Sequence, residues 1–291
     1  MSTNDQTNRK GLQLVLATVP LLISFAVSII SYFAAVFIRS VFFREELSVD
    51  STSNDGLIYL ISYTMLIVIF GFWYTMILQN RAPVEDVKAS TPKRWNPVKY
   101  WMTRLPILLL LGFGLQVFFS ALISILSTAA PDFFSSYKEL IQSMSGVEVS
   151  WMTKLSVCLL APIAEELLFR GVSLNYAKNA LPIKTAILLQ AVLFGIYHLN
   201  LIQFFYATVA GLILGMLAHQ AGSIIPGIVL HVIINASAYF LPSVFIDNIP
   251  KASLSAVLGA AVVIPCCILM FKKPKKIKTE EKPKEKPKEK V

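Results

Sequence analysis

Leu12 to Ile38 is a run of 27 residues without one charged side chain. About 20 apolar residues suffice to cross the hydrocarbon of a bilayer as a helix, and there only helices and closed barrels satisfy their own backbone. Further apolar stretches follow near 57–78, 105–127, 152–172, 183–199, 202–219, 223–241 and 252–271. Together they predict an all-α polytopic membrane protein, about eight transmembrane helices in a bundle. The first run is longer than a signal-peptide core and no clean small-residue cleavage site follows it, so it reads as a retained span. Charged residues are only 15% of the chain, against roughly 25% in a soluble domain.

The charges sort by loop. Between the second and third spans lie Arg81, Lys88, Lys93, Arg94, Lys99 and Arg104, whereas the first loop sets Arg39 and Arg44 against Glu45, Glu46, Asp50 and Asp55, and the third carries a single Lys138. By the positive-inside rule both termini are expected in the cytoplasm of a multi-pass protein of the cell membrane. Trp73, Tyr100, Trp101 and Trp151 fall near span edges, as interfacial aromatics do. The net charge of +9 is then orientation and attraction to anionic lipid headgroups through the basic loop and tail, not nucleic-acid binding. The tail from 272 repeats Lys, Pro and Glu, a composition that predicts disorder. The expected organisation is helices 1–3 with the basic loop over 1–148, a polar-motif core over 149–245, a last helix over 246–271 and the tail over 272–291. Cys158, Cys266 and Cys267 all fall inside spans without a CxxC, so neither a disulfide framework nor a thiolate metal site is expected.

The fourth span breaks the apolar rule. Glu165, Glu166 and Arg170 sit within six residues, and each charge at mid-bilayer costs roughly 2.5–3.5 kcal/mol on insertion scales. Glu166 and Arg170 are four apart, on one helical face, with the acid on the favourable N-terminal side for an ion pair. Glu165 is rotated about 100° from Glu166 and has no partner at that spacing. Pro162, one turn earlier, frees a backbone carbonyl.

Two further spans contribute matching polar faces. Phe194 and His198 are four apart, as are His231 and Asn235, so each pair projects from one side of its helix. Polar groups in membrane helices turn toward the bundle interior or a water-filled cavity. Two imidazoles and a carboxylate there suit Zn²⁺, or they position a water without a metal. Asn235 can donate to a developing oxyanion. Taken singly, each residue also has a plainer role: a helix-to-helix hydrogen bond for a histidine, a structural ion pair for Glu166–Arg170, core filler for Phe194. His219 lies in a turn and reads as surface; Gly211 and Gly215 read as a close-packing face.

Glu165-Glu166-x-x-x-Arg170, Phe194-x-x-x-His198 and His231-x-x-x-Asn235, in that order on successive helices, resemble the CPBP family of intramembrane proteases (CAAX protease and bacteriocin-processing, or Abi), which includes the type II CAAX prenyl endopeptidases. The resemblance runs from about 150 to 240. It implies a membrane-embedded endopeptidase acting on a membrane-associated protein or peptide. Residue by residue, Glu165 would activate water beside His198; His231 and Asn235 would polarise the scissile carbonyl; Glu166 and Arg170 would brace the site; Phe194 would line it. The resemblance leaves metal-mediated activation, with Glu165, His198 and His231 around zinc, beside direct activation. It also implies, in bacteria, roles such as bacteriocin immunity or peptide maturation.

Two other classes of function compete. Intramembrane Glu, Arg and His also mark proton-coupled transporters, although no internal repeat is visible. A non-catalytic immunity or scaffold protein would need none of the motif chemistry. Counting also leaves a mismatch of depth. His198 lies about 22 Å along its span from Ile183, and His231 only about 12 Å from Ser223. If the two share a site, the fifth span must start deeper or tilt, or the Ser223 end must lie inside the membrane.

Overall fold

A computed structural model describes residues 3–43, 56–80, 97–135, 137, 139, 150–240 and 248–272. Most of the basic loop, the acidic part of the first loop, Lys138 and the tail from 273 lie outside the described residues, as do the side chains of Tyr100 and Trp101.

The described residues are almost entirely helical, with short turns between helices and no strand among them. In chain order the helices are α1 (Thr3–Ile38), α2 (Gly56–Gln79), α3 (Pro97–Ala129), α4 (151–180), α5 (Ile183–Tyr197), α6 (Leu201–Ala221), α7 (Ile225–Phe240) and α8 (Ile249–Phe271). Segments in α1, α2, α3, α6 and α8 are long and apolar enough to cross a membrane, while α5 and α7 are shorter apolar helices. The expected all-α polytopic architecture is thus the one observed.

Apolar side chains such as Phe33, Leu110, Val257 and Ile268 stand exposed on α1, α3 and α8, the pattern of helices solvated by lipid. Inside, α1 and α2 pack on α4, α3 lies along α8 and α7, and α5 pairs with α6. Buried serines on α1 cost little because they bond back to their own helix: Ser24 donates to the Leu21 carbonyl at 2.6 Å and Ser31 to that of Val27 at 2.8 Å. Trp73, expected at a membrane edge, donates from Nε1 to the Tyr176 hydroxyl at 3.0 Å, tying α2 to α4.

α4 is not a regular helix. Its α-helical pieces Trp151–Leu155, Ala161–Glu165 and Leu174–Ala180 alternate with π-helical Ser156–Leu160 and Glu166–Ser173. Pro162 accounts for the first π turn's open bond. In a π turn the N–H of residue i pairs with the carbonyl of i−5; Pro162 has no N–H, so the Val157 carbonyl is left for another donor.

α5 and α6 are joined by a tight corner. His198 caps α5, Leu199 takes a left-handed φ of 52°, and Asn200 caps α6 by accepting from the Ile202 and Gln203 amides at 3.0 and 3.1 Å. The left-handed conformation costs a non-glycine residue roughly 1–2 kcal/mol; the cap on its far side offsets about 1 kcal/mol of it.

Candidate functional site

The π turn over Glu166–Ser173 carries Glu166 and Arg170, and Glu165 ends the α-helical piece just before it. Glu165, Glu166 and Arg170 are 5%, 0% and 1% exposed, and His231, from α7, is 5% exposed. Arg170 donates from Nη1 to Glu166 Oε1 at 2.7 Å and from Nη2 to the Gly211 carbonyl at 3.2 Å. The ion pair expected from spacing is therefore present, and it is bound into α6 as well.

His231 stands between the two carboxylates. Its Nδ1 lies 3.2 Å from Glu166 Oε1, and its Nε2 lies 3.5 Å from Glu165 Oε2. With Nδ1 donating to Glu166, Nε2 is the nitrogen that looks toward Glu165. Glu166 thus fixes the ring's orientation, while Glu165 keeps a longer, looser approach.

Phe194 joins the remaining elements. Its ring lies beneath the Arg170 guanidinium, 4.6 Å from Cζ to the centroid, and stands edge-on to both His198 and His231, with centroids 5.0 and 5.6 Å apart. Phe194, one turn before His198, is what meets His231 directly.

His198 bonds through Nδ1 to the Phe194 carbonyl at 2.9 Å. A carbonyl only accepts, so Nδ1 carries the proton and Nε2 is left as an acceptor. Asn235 donates from Nδ2 to the Val157 carbonyl at 2.9 Å, the carbonyl that Pro162 cannot serve. One of its two amide hydrogens is committed to holding α7 against α4.

Three contributors escaped the sequence reading. Gln190, fully buried in α5, donates to the same Gly211 carbonyl as Arg170, at 2.9 Å. It sits four residues before Phe194, so the stripe 190–194–198 was there to be read. Gly211 therefore does more than permit close packing: its carbonyl anchors the guanidinium. Gly227 lies so close to Glu166 that an added Cβ would stand 2.6 Å from Oε2. Tyr63 and Tyr197, from α2 and α5, form a fourth feature: both pack against the core cluster that contains Phe169 and Phe194.

A catalytic zinc site takes three protein ligands. Among the described residues no three His, Cys, Asp or Glu side chains are grouped so as to hold a metal ion. As arranged, Glu165, His198 and His231 do not fit that donor set. What the arrangement offers instead is a buried carboxylate, a histidine braced by a second carboxylate, and a further imidazole with a free lone pair one aromatic ring away.

Residues 148–237 match the family model described as Type II CAAX prenyl endopeptidase Rce1-like. No curated protein and no solved structure gave a significant match. The matched segment contains Glu165, Glu166, Arg170, Phe194, His198, His231 and Asn235, and it supports, in general terms, a CAAX protease-type enzyme set in a membrane.

Proposed function

We propose that this chain is an intramembrane endopeptidase that hydrolyses a peptide bond of a membrane-associated protein or peptide. The observation that carries the reading is His231 held between Glu165 and Glu166 at 3.5 and 3.2 Å, in a region where isolated charges are costly. A braced ring facing a less constrained carboxylate is an acid–base arrangement.

In this mechanism Glu165 takes a proton from water, with the His198 Nε2 lone pair helping to orient it. The hydroxide adds to the scissile carbonyl carbon. His231 and the second amide hydrogen of Asn235 donate to the oxygen as it becomes negative. With Glu165 now protonated, the Glu166 carboxylate and the new oxyanion balance the Arg170 guanidinium and the His231 imidazolium. Collapse of the tetrahedral intermediate breaks the C–N bond, and the proton held by Glu165 passes to the leaving amine. Phe194 keeps the two imidazoles apart and lines the cleft. Residues Glu166 and Arg170 position His231 and touch no substrate.

The family similarity and the loop charges further support a cell-membrane protein with both termini cytoplasmic, whose basic loop and tail hold anionic headgroups. Bacteriocin immunity or peptide maturation would be its role in a bacterium.

The test is cleavage of a fluorogenic peptide library by purified wild type and Glu165→Ala in detergent. Cleavage by wild type alone, with equal membrane abundance of both proteins, is expected. Full activity in Glu165→Ala overturns the mechanism.

A further inference from the structure

Gln190, at the middle of α5, is 0% exposed, and its side chain is only half satisfied. Nε2 donates to the Ile187 carbonyl of its own helix and to the Gly211 carbonyl of α6, each at 2.9 Å. Oε1 has no hydrogen-bond partner among the described residues. The amide cannot be turned over, because an oxygen in place of Nε2 would face two carbonyls. A buried acceptor left without a donor costs stability. Methionine, of similar length and without a strongly polar atom, would fill the same space at little cost. An amide at this position therefore has a use other than stability.

Two glycines make room for it. A Cβ added at Gly215 would overlap Nε2 of Gln190, and one added at Gly211 would stand 3.0 Å from the Ala191 Cα. Gly211 and Gly215 thus bring the backbone of α6 within reach of a side chain of α5.

The carbonyl that Gln190 holds is the one that holds Arg170. Nη2 of Arg170 donates to the Gly211 oxygen at 3.2 Å, Nη1 donates to Glu166, and Glu166 in turn faces Nδ1 of His231 at 3.2 Å. In the other direction, α5 carries Phe194 one turn beyond Gln190 and His198 one turn further, all on one helical face. One backbone oxygen is the common reference for the helix that carries His198 and for the guanidinium that stands behind His231.

We propose that Gln190 is a positioning residue. It fixes the height of α5 against the Gly211 carbonyl, and with it the level of His198 relative to the line Arg170–Glu166–His231. It touches no substrate. Its effect on rate rests on the hydrolysis proposed above, whereas the placement of His198 can be read without it. A small axial slip of α5 is enough to matter, since a misplacement of about 1 Å can cost on the order of 100-fold in rate.

The experiment compares wild type with Gln190→Met in detergent by three measurements. These are melting temperature, steady-state cleavage of a peptide substrate, and the rate at which diethyl pyrocarbonate modifies His198. Modification is followed by peptide mass spectrometry, with exposed His219 as the internal reference. The melting temperature should stay close to wild type. The value of kcat should fall about tenfold or more while KM stays within about twofold. His198 should be modified about threefold faster relative to His219, as a locally loosened helix end allows. Wild-type kcat in Gln190→Met, or a rise in KM alone, overturns the proposal. So does a variant that fails to fold or melts far lower, because the amide would then be structural. If wild type cleaves no peptide, the proposed hydrolysis fails on its own account and the modification rate decides the placement: a faster His198 upholds it, and an unchanged one overturns it.

Discussion

Oε1 of Glu166 lies 3.2 Å from Nδ1 of His231, and the same oxygen accepts from Arg170 at 2.7 Å. One carboxylate therefore orients the histidine and neutralises the guanidinium. Glu165, its chain neighbour, approaches only the far nitrogen of the same ring, at 3.5 Å. The two acids should fail differently when altered. Glu166→Gln leaves Arg170 as an uncompensated buried charge, a loss of ~3–5 kcal/mol, visible as a clear drop in melting temperature. Glu165→Gln should leave the melting temperature close to wild type and abolish cleavage. Equal destabilisation by both would contradict the division of labour.

The Asn235 bond to Val157 is tied to Pro162, which has no N–H to give that carbonyl. Asn235→Ala should cost about 1 kcal/mol, the net worth of one hydrogen bond, besides its effect on cleavage. Pro162→Ala restores an amide hydrogen at the position from which a π turn would serve Val157. The double variant should recover stability without recovering activity. Additive losses in thermal unfolding would sink this account.

Most of the site was legible because its parts are chemically expensive in lipid. Glu165, Glu166, Arg170, His198 and His231 had to face one another or a cavity, and helical spacing paired Glu166 with Arg170 directly. What spacing could not supply was geometry between helices. Nothing in the local sequence says that His231 reaches both acids, or that Phe194 rather than His198 is its neighbour. The π turns were equally hidden. Pro162 signalled a free carbonyl, but only the packing of α7 decides that Asn235 fills it. Gln190 was overlooked for a plainer reason: one neutral polar residue in an apolar span is cheap enough to pass as packing. Five of the eight segments, by contrast, follow from apolar length alone; the fourth, fifth and seventh are interrupted by polar residues or shorter, and they too fall on helices.

Phe194 presents its face to Arg170 and its edges to two imidazoles. Phe194→Leu keeps most of the apolar volume but removes the cation–π contact, worth ~0.5–2 kcal/mol, and the ring that spaces the histidines. Expected is a fall in kcat larger than any change in KM, with modest loss of stability. Phe194→Tyr should be milder in kcat. A pure KM effect would recast Phe194 as a substrate contact alone.

Gly227 allows α7 to approach the Glu166 carboxylate. In Gly227→Ala the new Cβ would stand 2.6 Å from Oε2, and Glu166 cannot retreat without releasing Arg170 or His231. Overpacking of this kind costs roughly 1–3 kcal/mol. Thermal unfolding should show that loss, and cleavage should fall with it. Unchanged values for both would mean that α7 shifts freely, which the Asn235–Val157 bond argues against.

The donor arrangement also makes a prediction about metals. Catalytic zinc uses three protein ligands and an open position, and no three suitable side chains are grouped for it among the described residues. Both nitrogens of His231 already face carboxylates, and Nδ1 of His198 is engaged by the Phe194 carbonyl. Coordination at Nε2 of His231 would have to compete with Glu165 for the same approach. Cleavage should therefore survive a strong chelator at full rate, and elemental analysis of active protein should find less than one metal per chain. Stoichiometric zinc that disappears in His231→Ala, together with chelator-sensitive cleavage, would reverse the assignment and require His198 to swing toward Glu165 in the working enzyme.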